Sequence, residues 1–468
     1  MSGKVTRRKL LKSAATGAAA LAATGALKSG RVRAQTRTLR ILQWSHFVPA
    51  FDRWFDPFAR QWGRENNVDV VVDHIGLADL IPRANAEVAA QAGHDLYQFL
   101  APPGAFEPEV VDLADLVREV EGRHGPMVPL ARASSFNRNT NKWFAFSDNW
   151  VPDPGDYLRS VWTAIGMPDG PKTWNDLLVA SPLIKRRFPE IQIPIGIGLS
   201  QEIDTNMATR ALMWSYDASV QDAMENVTIN SPQTIEAVEF MSRLFREGMS
   251  PAVLAWNAAS NNQTLIARQT AYILNSISAY RTAQDNQLPV ADDIFFSEPL
   301  RGPRGTRWVG NHVMGCYVIW RFSRSQDLAK QFLIALVDNY REAVLASKLY
   351  NFPSFYGSVA ERGVPLAQRP AGGQRWVQQV TANDPFDSRP PDKLAILNNA
   401  LEWSTNIGHP GPANPAASEI FDTFVVTDMF ARAATGQLTP RAAVEEAERR
   451  VKAIFAKWRQ RGLVGGSR

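Results

Sequence analysis

The chain is 468 residues long, 45% apolar and 21% charged, which excludes a disordered or fibrous design and suggests about three folding units. Lysine and arginine number 51 against 46 acidic residues, yet residues 1–34 hold eight of the basic groups and no acid. From residue 35 onward 43 basic groups face 46 acidic ones, a net −3, so the charge balance gives no argument for a nucleic-acid partner.

The first element is a leader. Thr6-Arg7-Arg8-Lys9-Leu10-Leu11-Lys12 carries a twin-arginine pair, Ala14 to Leu27 is rich in alanine, and Val32-Arg33-Ala34 places small residues before Gln35. The pattern predicts a twin-arginine signal peptide over residues 1–34, cleaved near Ala34. Its apolar stretch of about 14 residues falls short of the ~20 that span a bilayer. Cys316 is the single cysteine, so no intrachain disulfide forms, and no cysteine near the cleavage site offers a lipid anchor. A periplasm is the expected compartment. Cys316 lies in the apolar run Val313 to Trp320 and is expected in the core.

Leu39 to Trp44 reads as a first strand, and Val68 to Val72 as a second. Between them Phe51, Trp54, Phe55, Phe58 and Trp62 make the aromatic face of a helix, whose regular part is expected to begin at Pro57. Strand, helix and strand within about 35 residues predict an α/β unit with a parallel sheet. Thr173-Trp174-Asn175-Asp176 has capping-box spacing, and Ser231-Pro232 and Thr439-Pro440 are further helix starts. Ser325 opens another helix with Leu328, Phe332, Leu333 and Leu336 facing inward. Residues 384–391 and 408–415 are rich in Pro, Gly and Asn and predict loops.

Local signatures of catalysis are missing. The histidines His46, His74, His94, His124, His312 and His409 include no pair three or four apart, so no helical zinc motif exists. One cysteine excludes Cys-rich zinc, iron–sulfur and c-type haem sites. Phosphate-loop and G-x-S-x-G patterns are also missing. No catalytic residue, cofactor or metal ligand is therefore assigned.

Several segments, taken in order, resemble the extracellular solute-binding proteins of ABC importers, in particular the sugar-type members related to maltose-binding protein. A first strand ends in Trp44-Ser45-His46, and Gly93-His94-Asp95-Leu96 is similar to the family's G-x-P-D segment with His94 in place of proline. Lys142-Trp143-Phe144-Ala145-Phe146 resembles the family strand that ends in proline, here Ser147. Pro171-Lys172-Thr173-Trp174-Asn175-Asp176-Leu177 matches the P-x-T-W-x-x-L helix start. Ser231 to Gly248, Leu265 to Tyr272 (with Gln269 for glycine), Ala329 with Phe332, and Gly436 to Val444 continue the series. The likeness runs over about residues 38–457.

The resemblance implies an α/β fold of two lobes in the type II-like arrangement of periplasmic binding proteins, each a sheet flanked by helices, with the ligand cleft between them. Lobe 1 is expected to comprise residues 36–146 plus 279–336, and lobe 2 residues 147–278 plus 337–460. It also implies a non-catalytic receptor that closes on a small molecule and delivers it to a membrane permease, most simply as a monomer. A sugar or polyol needs hydrogen-bonding side chains around aromatic plates. At strand ends and loops the chain offers Trp44, Ser45, His46, Asp95, Asp148, Asn149, Trp150, Trp214, Tyr216, Asp217, Asn275, Ser276, Asn311, His312, Tyr350 and Trp403 as candidate ligand contacts. Trp54, Trp62, Trp162, Trp174, Trp320 and Trp458 lie on regular stripes and are assigned to the core. A polyamine or other cationic solute, for which Asp148, Asp153 and Asp217 leave room, stays open as an alternative, and an exported enzyme as one from a different class.

Overall fold

The computed structural model describes residues 37–310 and 314–466, so the leader and the candidates Asn311 and His312 lie outside the described residues. The first strand, β1 (Arg37–Trp44), is followed by helix α1 (Ala50–Asn66) and by β2 (Val68–Ile75). The two strands run parallel in full register, from Arg37 opposite Val68 to Trp44 opposite Ile75. The helix starts well before Pro57, contrary to expectation. Proline's missing N–H removes a single intrahelical bond, while Phe51, Phe55, Ala59 and Trp62 are all buried along one face. Gly63 lets the chain return, because a Cβ there would sit 2.6 Å from the Val68 carbonyl oxygen.

Helix α2 (Leu80–Ala90) leads to β3 (Leu96–Phe99), which is parallel to β1. Then come β4 (Phe146–Trp150) and β5 (Gly155–Leu158), and, much later, β6 (Tyr272–Leu274), β7 (Ile294–Ser297), β8 (Met314–Ile319) and β9 (Phe352–Pro353). Six of these form one sheet in the order β9-β4-β8-β3-β1-β2, and β6-β5-β7 form a second. β8 is antiparallel to β3 and β4, and β9 to β4, so β1, β2, β3 and β4 share a direction that β8 and β9 oppose. All six residues of β8 are buried, including Cys316, as its unbroken apolar run requires.

The expected lobe break at 146/147 falls inside β4, whose residues 147–150 pair within the six-stranded sheet. Likewise β9 joins that sheet and β7 the smaller one. Crossovers of this kind leave no local mark in the sequence.

The later helices begin where their caps predict. Helix α3 (Trp174–Arg187) has a complete capping box: Asp176 N–H donates to Thr173 Oγ1 at 3.2 Å, and Thr173 N–H to Asp176 Oδ2 at 2.9 Å. After α4 (Ile203–Ser215), the Ser231 hydroxyl caps α5 (Pro232–Gly248). Helix α6 (Ser278–Asp285), α7 (Gln326–Asp338), α8 (Pro415–Asp422) and α9 (Val425–Ala434) precede α10 (Pro440–Gln460), capped by Thr439. Trp62, Trp162, Trp174, Trp320 and Trp458 are buried and Trp54 packs partly buried against them. No described helix is long and apolar enough to cross a membrane.

Candidate functional site

The carboxyl ends of β1, β2 and β3 open onto a cavity of about 630 Å³. Such a volume suits a small organic solute, and strand carboxyl ends are where open α/β sheets bind theirs. From this sheet the wall takes Phe47, the turn Gly76 to Pro82, and Phe99 to Pro103. Facing them are Gln201, Glu202 and Ile203 at the start of α4, the loop Trp256 to Ala259, Phe421 and Asp422 at the end of α8, and Phe424 just before α9.

Phe424 has φ 54°, a left-handed conformation that costs an aromatic residue about 1–2 kcal/mol. Strain of this kind, retained at a cavity wall, marks the side chain's position as worth its cost.

Two carboxyls meet the cavity from inside the protein. Glu202 caps α4, accepting from Asp204 N–H at 2.7 Å and from the backbone N–H (2.5 Å) and hydroxyl of Thr205. Burial, with Asp204 adding like charge, pushes Glu202 up to about 8 against the lowering effect of those donors. Burial likewise pushes Asp422 up to about 7, and Arg210 only partly offsets it. Arg210 is itself buried. Its Nη1 donates to Asn206 Oδ1 at 2.5 Å, its guanidinium lies 4.9 Å from the Phe421 ring centre, and desolvation lowers it to about 9. No cluster among the described residues could hold a metal ion.

None of the described candidate contacts lines this cavity. Trp44 is still inside β1, and Ser45 is exposed with its N–H on the Ile75 carbonyl at 2.8 Å. His46 is buried, its ring 4.8 Å from Trp44 and 5.0 Å from Tyr350, with Nε2 3.3 Å from Asn351 Oδ1. Burial holds it neutral at about 3. Asp148, Asn149 and Trp150 lie in the interior strand β4. Asp148 accepts from Asn149 at 2.9 Å and from the Tyr340 hydroxyl at 3.1 Å, and burial pushes it up to about 6. Trp150 packs edge-on to Phe352.

Asn275 and Ser276 bond to Ser278 at 3.3 and 3.2 Å. Trp214 and Trp403 are buried in another group: His409 lies 5.5 Å from Trp214, and Val309 N–H donates to the Trp403 carbonyl at 2.9 Å. Tyr216 leans on Phe240, and Asp217 accepts from Thr306 at 2.6 Å. Asp95 is farthest from expectation, since it precedes β3 at the amino end and holds Arg40 N–H at 2.9 Å and Ser323 at 2.6 Å. Trp44 and Trp150, the last residues of β1 and β4, fill the core. The lining begins at Phe47, three residues past β1, at Gly76, one past β2, and at Phe99, the last residue of β3. Following the parallel strands past their carboxyl ends would have found these, whereas residues 201–203, 256–259 and 421–424 carry no local signal.

This architecture, two sheets flanked by helices with a solute-sized cavity at strand carboxyl ends, is that of the two-lobed periplasmic binding proteins. The maltose-bound MalE3 of T. maritima superposes with a TM-score of 0.71 at 15% identity, covering 89% of this chain and 99% of that one. A ribitol-bound ABC transporter solute-binding protein of Agrobacterium radiobacter K84 gives 0.69 at 16% identity, covering 90% and 99%. In sequence, the chain belongs to the bacterial extracellular solute-binding proteins, whose family model matches residues 49–339. A curated relative from Deinococcus radiodurans, named "Probable ABC transporter-binding protein", is 22% identical over 213 residues. That match takes in 43% of this chain and spans about half, 48%, of the relative.

Proposed function

We propose that the protein is the periplasmic substrate-binding receptor of an ABC importer, capturing a small carbohydrate or polyol by closure of two lobes and releasing it unaltered to a membrane permease. The cavity at the carboxyl ends of β1, β2 and β3 carries this reading, since segments from the other side of the fold complete its wall. A solute touching both sides binds the closed form better than the open one, and that difference drives closure. The maltose and ribitol bound by the two solved proteins support the ligand class.

We assign the six-stranded sheet to the first lobe and the three-stranded sheet to the second, which moves residues 147–150 and 352–353 into the first and 294–297 into the second. Export by the twin-arginine leader, with cleavage near Ala34, and action as a monomer belong to the same proposal, as does the absence of catalysis. The test is a thermal-shift screen of sugars and polyols followed by small-angle scattering on any hit. The expected result is a higher melting temperature with a smaller radius of gyration. Binding with unchanged dimensions, or turnover of a bound glycoside, would overturn the reading.

A further inference from the structure

The charged side chains that line the cavity are of one sign. Among the described residues Asp79, Glu202 and Asp422 reach it, and no lysine, arginine or histidine does. Among the described residues, Gln201, Asn257 and the indole N–H of Trp256 supply the neutral polar side-chain groups of a wall otherwise built of aliphatic and aromatic groups. A bare sugar, with hydroxyls all round its edge, would leave many of them unmatched here, and unmatched buried polar groups are costly.

The three acids are not equivalent. Asp79 is exposed at the rim, and Glu202 is engaged by Asp204 and Thr205 at the start of α4. Asp422 has no hydrogen bond or ion pair to any described residue. Arg210 influences it from α4 without contacting it, being committed to Asn206 and the Phe421 ring. Its other charged neighbour, Glu419, adds like charge and is itself taken by Trp458 (2.5 Å) and Lys457. A partly buried carboxylate that the protein leaves without a partner, set among aromatic rings, is a receptor for a cation.

We propose that the solute is an amine-bearing molecule of sugar or polyol size, its ammonium docked on Asp422 and its apolar faces against Phe47, Trp256 and Phe424. This rests on the receptor reading and narrows its ligand class. Docking a cation favours the ionised carboxylate, so capture expels the proton that burial retains on Asp422 and, more weakly, on Glu202 beside Asp204. Affinity for the amine therefore rises from pH 6 to pH 8, while a neutral guest shows no such rise.

Calorimetric titration of the full chain with matched pairs tests this: sorbitol and 1-amino-1-deoxysorbitol, ribitol and 1-amino-1-deoxyribitol, butane-1,4-diol and 4-aminobutanol. These alkylamines stay protonated throughout, as a lysine side chain does. The amine of at least one pair is expected to bind about tenfold or more tightly than its partner, and Asp422→Asn to abolish that preference with the unliganded melting temperature kept or raised. Should that variant not fold, the rise in wild-type amine affinity from pH 6 to 8 is the deciding measurement. Equal or tighter binding of the hydroxyl partners overturns the charge assignment while leaving a receptor. An amine preference that survives Asp422→Asn, or has no pH dependence, overturns the docking on Asp422. Silence from every member of every pair overturns the receptor reading as well.

Discussion

Replacing Asp156 with asparagine should make the protein's stability less sensitive to pH. Asp156 sits in the middle of β5 with no exposure, and neither carboxyl oxygen has a hydrogen-bond partner. Desolvation first, and the nearby Asp153 second, push its carboxyl well above the usual aspartate range. A carboxyl raised in this way binds more protons folded than unfolded. Its contribution to stability is complete below about pH 4 and drains away as pH climbs toward the folded value, at about 1.4 kcal/mol per unit. Between pH 4.5 and pH 6 the wild type should therefore lose stability that Asp156→Asn retains, at a slope of up to about 1.4 kcal/mol per pH unit. Asp148, Glu202 and Asp422, pushed up to about 6, 8 and 7, act in the same direction, whereas His46, held down at about 3, gains stability as pH rises toward 6.5. Comparing the two proteins at each pH cancels these shared terms. Urea unfolding followed by tryptophan fluorescence at pH 4.5, 5.25 and 6 supplies the comparison. A difference between variant and wild type that stays constant over this range would refute the buried-proton argument.

Arg281 and Asp384 form an ion pair of 2.8 Å with side chains 1% and 0% exposed, so Arg281→Met should cost about 3–5 kcal/mol, a fall of several degrees in thermal denaturation. The double variant with Asp384→Asn should lose less than the two single losses added together. Thr173→Ala breaks the capping box of α3 and should cost about 1 kcal/mol in urea unfolding without altering solute affinity. Phe424→Gly relieves a left-handed aromatic residue but removes part of the cavity wall. Its unliganded melting temperature should hold or rise while calorimetric affinity falls about tenfold; an unchanged affinity would remove Phe424 from the site.

Much of the fold was legible because its signals are local. The Thr173 box, the Ser231 and Thr439 caps and the aromatic stripe of α1 each depend on residues within about three turns of one another. What escaped is non-local. Residues 147–150 look the same whichever sheet they join, and only their pairing with β8 decides it. His94 shows the same limit, since its departure from the family proline is explained by partners in two other elements. Its ring is held between Glu87 at 2.5 Å and Asp73 at 2.9 Å, and those carboxylates hold the imidazole above its ordinary value despite burial. For the site, the tryptophans misled: Trp44, Trp150, Trp214 and Trp403 end up as filling, each 3% exposed or less. Phe421 and Phe424 become the wall through a chain reversal some 370 residues from Phe47.

The two inner carboxyls of the cavity have unequal capacity. A carboxylate offers about four lone-pair positions. At Glu202 three are occupied by the first turn of α4, which leaves a single opening for anything arriving from outside. Asp422 has all of its own to give. The chamber is thus lopsided, and a visitor with its donors crowded at one tip has a preferred way round: tip toward the α8–α9 corner, tail toward the helix mouth.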